Sequence, residues 1–151
     1  MSVLIVLHLL AAVVWVGGMF FAHVAMRPAA AALPPDARLN LFSAALGRFF
    51  AWVWIAVVAL PITGYAMVFA YYGGFTHLGP FINAMQGLGW VMIAIYLHVF
   101  FAPFRRLRRA LAAGDLASAG RHMDQIRLFV TLNLLLGLIV VVVAAIGHFG
   151  P

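Results

Sequence analysis

The sequence contains no cysteine, which excludes disulfides, zinc fingers and thiol nucleophiles. Charge is also scarce, since only 8% of the 151 residues are charged, against roughly 25% in an ordinary soluble domain. The three acids, Asp36, Asp115 and Asp124, all fall in segments that we predict to be loops. We therefore expect neither a carboxylate proton relay within a membrane nor a magnesium or calcium site.

Most of the remaining sequence is apolar. Hydrophobic residues make up 67% of the chain, and the mean hydropathy is +1.13. Apolar stretches of about 20 residues match the thickness of the bilayer core, and four stand out: 3–26, 48–72, 82–104 and 127–148. We predict an all-α fold, an antiparallel four-helix transmembrane bundle forming one domain over residues 1–151.

Arginine distinguishes the two sides of this bundle. The formal charge of +6 comes from arginines in the first and third connections, whereas the second, "YYGGFTHLGPF", has none. The positive-inside rule therefore places both basic connections in the cytoplasm of a bacterium and both termini outside its inner membrane. Arg27 follows the first apolar run, so we predict a retained helix rather than a signal peptide. The basic residues thus indicate a lipid bilayer as partner, not nucleic acid.

The second helix is predicted to begin before its span. Pro34, Pro35 and Asp36 are typical of a helix start. Leu39, Phe42, Leu46 and Phe49 then recur at helical spacing. Pro61 lies near the middle of the second span and should free a backbone carbonyl there.

Histidine and methionine are the candidate metal ligands within the spans. In the first helix, His8, Trp15, Met19 and His23 recur at steps typical of one stripe facing the bundle interior. Counting about 1.5 Å per residue places His8, Met67 and Met85 near the outer boundary. The same count places Met19, His23 and His98 near the inner one. We therefore predict an outer and an inner His/Met group.

His98 is the strongest single candidate, because ionisable residues inside a span are costly and usually functional. Its alternative role is a hydrogen bond to a backbone carbonyl or to Asn133. For Asn133 an interhelical hydrogen bond is the favoured role, and His8 and His23 could instead be helix-end residues that reach for headgroups. Imidazole and thioether donors suit copper, or haem iron through axial ligands.

Four segments resemble the copper resistance protein D family. "LHLLAAVVWVGGMFF" resembles its first helix and "LPITGYAMV" its Thr-Gly helix. "LHVFFAPFRRLRRALAAGD" resembles its His-bearing helix, and "NLLLGLIVVVVAAIG" its last helix. The resemblance implies copper transport or homeostasis, with a periplasmic copper-binding protein as a possible partner. With the two His/Met groups, it gives a copper ion the candidate ligands His8, Met19, His23, Met67, Met85 and His98.

The same fold also resembles the membrane protoporphyrinogen oxidase family, which is associated with haem b. His8, Trp15 and Asn133 match motif positions of that family. It also uses an intramembrane lysine and an Asn-Glu pair, whereas this chain has no lysine and has Leu134 in place of the Glu. The oxidase reaction itself is therefore not expected.

The alternative function is a haem b protein that transfers electrons to or from quinone or another redox partner. As an enzyme it would be a haem b-dependent membrane oxidoreductase, with Arg105 pairing a haem propionate. The candidate haem-binding residues are His8, His23, His98, His148, Asn133 and Arg105. A second alternative is a non-catalytic accessory membrane subunit. Each of these functions is compatible with a homo-oligomer.

Overall fold

Four long helices make up the computed structural model, which describes residues 2–149 apart from the side chains of residues 2, 77, 148 and 149. They are α1 (Val3–Ala32), α2 (Pro35–Tyr72), α3 (Pro80–Ala112) and α4 (Leu116–Phe149). The described range contains no strand, and each helix is long and apolar enough to span a membrane. The predicted all-α, four-helix membrane fold is confirmed.

The helices extend well beyond the predicted spans. Residues 105–127, predicted to be a connection, instead continue α3 and begin α4, so that only residues 113–115 connect them. Gly114 ends α3 with a φ of +71°, and the Asp115 N–H donates to the Ala110 carbonyl at 2.9 Å. The Asp115 carboxylate then caps α4 by accepting the Ser118 N–H at 3.0 Å. The Ser118 hydrogen bonds hold the pKa of Asp115 below its usual range.

The prediction that all three acids lie in loops is only partly right. Only Asp115 lies in a connection, whereas Asp36 lies in the first turn of α2 and Asp124 lies on α4. Asp124 accepts a hydrogen bond from Arg127 at 3.1 Å. The early start of α2 at Pro35 is as predicted.

All nine arginines lie toward one end of the bundle. This arginine-rich end contains the last part of α1 and α3 and the first part of α2 and α4. The opposite end, called the loop end, contains the start of α1 and the connection 73–79. At about 1.5 Å per residue, α2 would be about 57 Å long, compared with about 30 Å of hydrocarbon. The helices therefore project from the membrane at the arginine-rich end.

The core continues into that projection. Leu107, Met123 and Ile126 are 0%, 2% and 2% exposed. Nearer the loop end, the large apolar side chains Ile55 and Ile62 on α2 are exposed, as lipid-facing residues are. Water drives apolar burial where the helices leave the bilayer, which accounts for a core that continues beyond the spans.

An aromatic cluster joins α1, α2 and α3. The Phe50 ring packs edge-on against Phe104 and Tyr96, with centroids 4.9 and 5.6 Å apart. Trp15 of α1 meets Tyr96 at 6.1 Å. The Tyr96 hydroxyl donates to the Phe50 carbonyl at 3.0 Å, so this buried hydroxyl has a partner in another helix.

Two π turns interrupt α1, at Val13–Gly17 and Ala22–Met26. A third, Phe100–Phe104 in α3, contains Pro103, which has no N–H to donate. A π turn takes up about one extra residue and therefore offsets the following side chains by about 100° around the helix. The predicted stripe nevertheless stays on the inward side of α1, since Trp15 and Met19 are 3% and 2% exposed and both His8 and His23 are half-buried.

Close approach of α1 and α2 depends on Gly18. A Cβ added there would overlap the Phe49 ring, with its Cζ at 2.7 Å, whereas a Cβ on the preceding Gly17 meets nothing within 4 Å. We expect Gly18→Ala to destabilise the bundle by about 1–3 kcal/mol through overpacking. The matched control Gly17→Ala should be neutral or slightly stabilising. Thermal unfolding in detergent measures both, and equal melting temperatures would contradict this packing.

The orientation of the bundle stays a prediction that single cysteines can test, since the chain has none of its own. Ala113 and Thr76 are both exposed, at opposite ends. We expect a membrane-impermeant maleimide to label Thr76→Cys in intact spheroplasts and Ala113→Cys only after lysis. Labelling of Ala113→Cys from the periplasm would reverse the assignment.

Candidate functional site

His8 of α1 is tied to α2 through Thr63. Its Nδ1 lies 2.8 Å from the Thr63 hydroxyl oxygen, and that hydroxyl donates to the Ala59 carbonyl at 2.6 Å. A threonine hydroxyl has one proton to donate, and Ala59 receives it. Thr63 therefore accepts its second hydrogen bond from His8 Nδ1–H. In the neutral ring, this leaves Nε2 with a free lone pair, the form in which imidazole binds metals.

The ring of His8 lies against the backbone of α2. A Cβ on Gly64 would stand 3.4 Å from His8 Cε1, so only a small residue fits there. Met67 follows Thr63 by one helical turn and is half-buried on the same face of α2. Met85 is half-buried near the start of α3, at the same end of the bundle.

A metal ion at this end would need thioether ligands. Among the described residues, no group of three or more His, Asp or Glu side chains is placed to hold a metal ion. One imidazole nitrogen with methionine sulfurs is a soft donor set, which suits Cu(I) and not harder ions.

His23 repeats the histidine–threonine pairing with a different helix. Its Nδ1 lies 3.4 Å from the hydroxyl oxygen of Thr131 on α4, and Thr131 donates to the Arg127 carbonyl at 2.8 Å. His8 thus meets α2 and His23 meets α4. The predicted stripe is confirmed, since its members from His8 to His23 are buried or half-buried on α1, and its two ends contact different neighbouring helices. The sequence analysis did not predict that either threonine forms a hydrogen bond with a histidine.

Two cavities lie along α1. One, of about 10 Å³, is lined by Met19, Trp15 and Asn133 with surrounding apolar residues. Asn133 is 3% exposed and its Oδ1 has no hydrogen-bond partner among the described residues, so this oxygen does not make the predicted interhelical bond. The other cavity, of about 40 Å³, is lined by His23 and Arg127 among others.

His98 lies apart from both cavities. Its side chain is exposed on the bundle surface, and its ring packs edge-on against Phe129 with centroids 4.9 Å apart. Phe129 and Thr131 are two residues apart on α4, so their side chains point about 200° apart. His98 and His23 therefore lie on different sides of α4, and the structure does not bring them together around one ion.

The remaining haem candidates are also dispersed. Arg105 is exposed, with its guanidinium 4.8 Å from the Phe101 ring centroid. The side chain of His148 lies outside the described part of the chain. The cavities of about 10 and 40 Å³ are far below the roughly 300 Å³ of a typical small-molecule site. A haem does not fit in either of them.

Comparison with known protein families decides the relationship. Residues 43–146 match the family model described as copper resistance protein D. The chain belongs to the copper resistance protein D family. A search of curated proteins and a search of solved structures found no match. The chain is thus a multi-pass membrane protein of a copper-resistance family, as its sequence motifs predicted. The likeness to the protoporphyrinogen oxidase family stays a prediction.

The family match covers only part of the candidate site. Thr63, Met67 and Met85 lie within the matched residues, as do His98 and Asn133. α1 precedes the match, so the match does not extend to the candidate ligands His8, Met19 and His23.

The His8–Thr63 hydrogen bond makes a specific prediction about the imidazole. We expect neutral His8 to carry its proton on Nδ1, because Thr63 accepts from that nitrogen. Thr63→Val removes the acceptor and should shift the ring toward the Nε2–H tautomer, whereas Thr63→Ser should preserve the wild-type state. Nitrogen-15 NMR of histidine-labelled protein distinguishes the tautomers, and an Nε2–H ring in wild type would contradict the assignment.

Proposed function

We propose that the protein handles copper by binding Cu(I) at the loop end and passing it along α1 toward the arginine-rich end. The observation that carries this proposal is the His8–Thr63 pair, whose geometry leaves His8 Nε2 free as a ligand. Membership of the copper resistance protein D family supports the choice of copper. Copper is the cargo here, not a resident cofactor.

The entry site consists of His8, Met67 and Met85. Nitrogen and thioether ligands favour Cu(I), and Cu(I) accepts the low coordination number that one imidazole and two sulfurs provide. Thr63 orients the His8 ring and raises the basicity of Nε2 by accepting from Nδ1–H. The placement of this site at the loop end suits delivery from a periplasmic copper-binding protein in the predicted orientation.

Met19 and His23 continue the route along α1. Met19 follows His8 by 11 residues, or about 16 Å of helix, and His23 lies about 6 Å beyond Met19. Met19 is 2% exposed inside the bundle, and His23 lines the cavity near Arg27 and Arg127. The positive charge of these arginines weakens cation binding at His23, which makes this position suited to release.

The role of His98 differs between this proposal and the prediction made from the sequence. As a copper ligand, His98 would be needed for metal binding, and His98→Gln would lower the copper content. On the route proposed here His98 lies outside, so His98→Gln should retain full Cu(I) binding. Metal analysis of the purified variant beside wild type decides between these outcomes.

Replacement of His8 tests the entry site directly. We expect His8→Gln to weaken Cu(I) binding at least about tenfold, because an amide replaces imidazole poorly on Cu(I). It should also abolish complementation of a copper-sensitive deletion strain. His122→Gln is the matched control, since His122 lies on α4 at the arginine-rich end beside Gln125. Competition with a Cu(I) chelator measures the affinity, and wild-type binding by His8→Gln would refute the site.

Thr63 supplies a finer test of the same site. Loss of a hydrogen-bond partner behind a ligating histidine typically lowers metal affinity by about 10- to 100-fold. We therefore expect Thr63→Val to weaken Cu(I) binding within that range and Thr63→Ser to preserve it. If both variants bind like wild type, the hydroxyl has no role behind His8.

An absorption spectrum of the same samples tests the haem alternative, which requires a Soret band.

A further inference from the structure

A basic pocket opens between α1, α2 and α4 at the arginine-rich end. Its cavity of about 40 Å³ has two arginines and a histidine in its wall. The wall consists of Ala22, His23, Arg27, Phe42, Leu46, Met123, Ile126, Arg127 and Val130. The Arg127 guanidinium lies over the Phe42 ring at 5.7 Å, so the helices hold this cation in place against an aromatic face.

The cations around this pocket are not balanced by acids. Arg127 pairs with Asp124 at 3.1 Å, but the Asp124 side chain is 73% exposed to solvent. The charges of Arg27 and Arg38 act on Arg127 as well. One solvated carboxylate therefore faces three guanidinium groups.

Two guanidinium donors in this region also lack acceptors. The Nε atoms of Arg38 and Arg127 are buried, and neither has a hydrogen-bond partner among the described residues. A buried charged donor without an acceptor is costly. An anion with several oxygen atoms would supply the acceptors and reduce the repulsion among the arginines.

We propose that this pocket binds the phosphate group of an anionic phospholipid. Guanidinium groups bind phosphate oxygens through pairs of parallel hydrogen bonds, which suits arginine better than lysine. Basic pockets between membrane helices on the cytoplasmic side are where anionic lipid headgroups bind.

The surface beside the pocket favours a lipid over free phosphate. Leu128, Leu132 and Leu135 lie about 80–140° around α4 from Arg127, on the neighbouring face of the helix, and all three are exposed. They form an apolar stripe that runs from the arginines toward the bilayer centre. The phosphate oxygens of a lipid would meet Arg127, and its acyl chains would cover this stripe.

This inference does not depend on the copper proposal. Copper enters at the loop end through His8, whereas the lipid pocket lies at the opposite end, and the two proposals share only His23 of the pocket wall. Loss of copper binding in His8→Gln would leave the lipid assignment intact, because His8 takes no part in the pocket. The two proposals can therefore fail separately.

The test measures the thermal stability of the detergent-purified protein with added phosphatidylglycerol, phosphatidylcholine or inorganic phosphate. We expect phosphatidylglycerol alone to raise the melting temperature in a saturable way, and native mass spectrometry to retain bound phosphatidylglycerol. Equal stabilisation by phosphatidylcholine would overturn the proposal. Equal stabilisation by inorganic phosphate would overturn the lipid assignment in favour of a free anion.

Variants locate the effect on the pocket. Arg127→Gln and Arg38→Gln should each weaken phosphatidylglycerol binding about fivefold, and Arg127→Lys should not restore it fully because lysine lacks the planar fork. The matched control is Arg106→Gln, which removes an exposed arginine of α3 with the same change in net charge. Equal losses in Arg106→Gln would show unspecific surface attraction and overturn the site. If Arg127→Gln does not fold, Arg38→Gln and the wild-type lipid comparison decide.

Discussion

Hydrocarbon offers no hydrogen-bond partner, and this constraint determines how the polar groups inside the bundle are arranged. Thr63 and Thr131 each donate to a carbonyl one turn earlier in their own helix, and Tyr96 donates to a carbonyl of another helix. Having used their only protons, both threonines present an oxygen as acceptor. Each oxygen faces a histidine of α1. Because the Thr63 proton goes to the Ala59 carbonyl, His8 must donate from Nδ1, and Nε2 is the nitrogen left for a metal.

The protein meets two solvents along its length, and its packing differs between them. In the bilayer, large side chains such as Trp52 stay exposed at little cost, because lipid is as apolar as the protein. Where the helices project beyond it, Leu107 and Met123 are almost fully buried, as in a soluble bundle. The arginine-rich end is thus packed like a soluble helical structure attached to a membrane bundle, with the Arg127 guanidinium over the Phe42 ring.

The spans, the all-α fold and the family were predictable from the sequence, because apolar runs and the quoted motifs are local signals. The helical character of residues 105–127 was missed, although two pairs of apolar residues have helical spacing: Leu107 with Ala110, and Met123 with Ile126. The arginines and the turn at Gly114-Asp115 obscured this pattern. The shared inward face of His8 and His23 was predictable from their spacing, whereas their pairing with two different helices depends on how α1 crosses its neighbours and was not. The exposure of His98 depends on how α3 rotates against α4, and this too is not encoded in spacing alone.

Every cation in the chain is an arginine, which has a consequence for regulation. A partly buried lysine can lose its proton or be acetylated, and a site built on it would weaken with alkalinity or enzymatic modification. A guanidinium keeps its proton at any pH that a cell experiences. The positive charge that these arginines give to the arginine-rich end is therefore constant over the pH range of a cell.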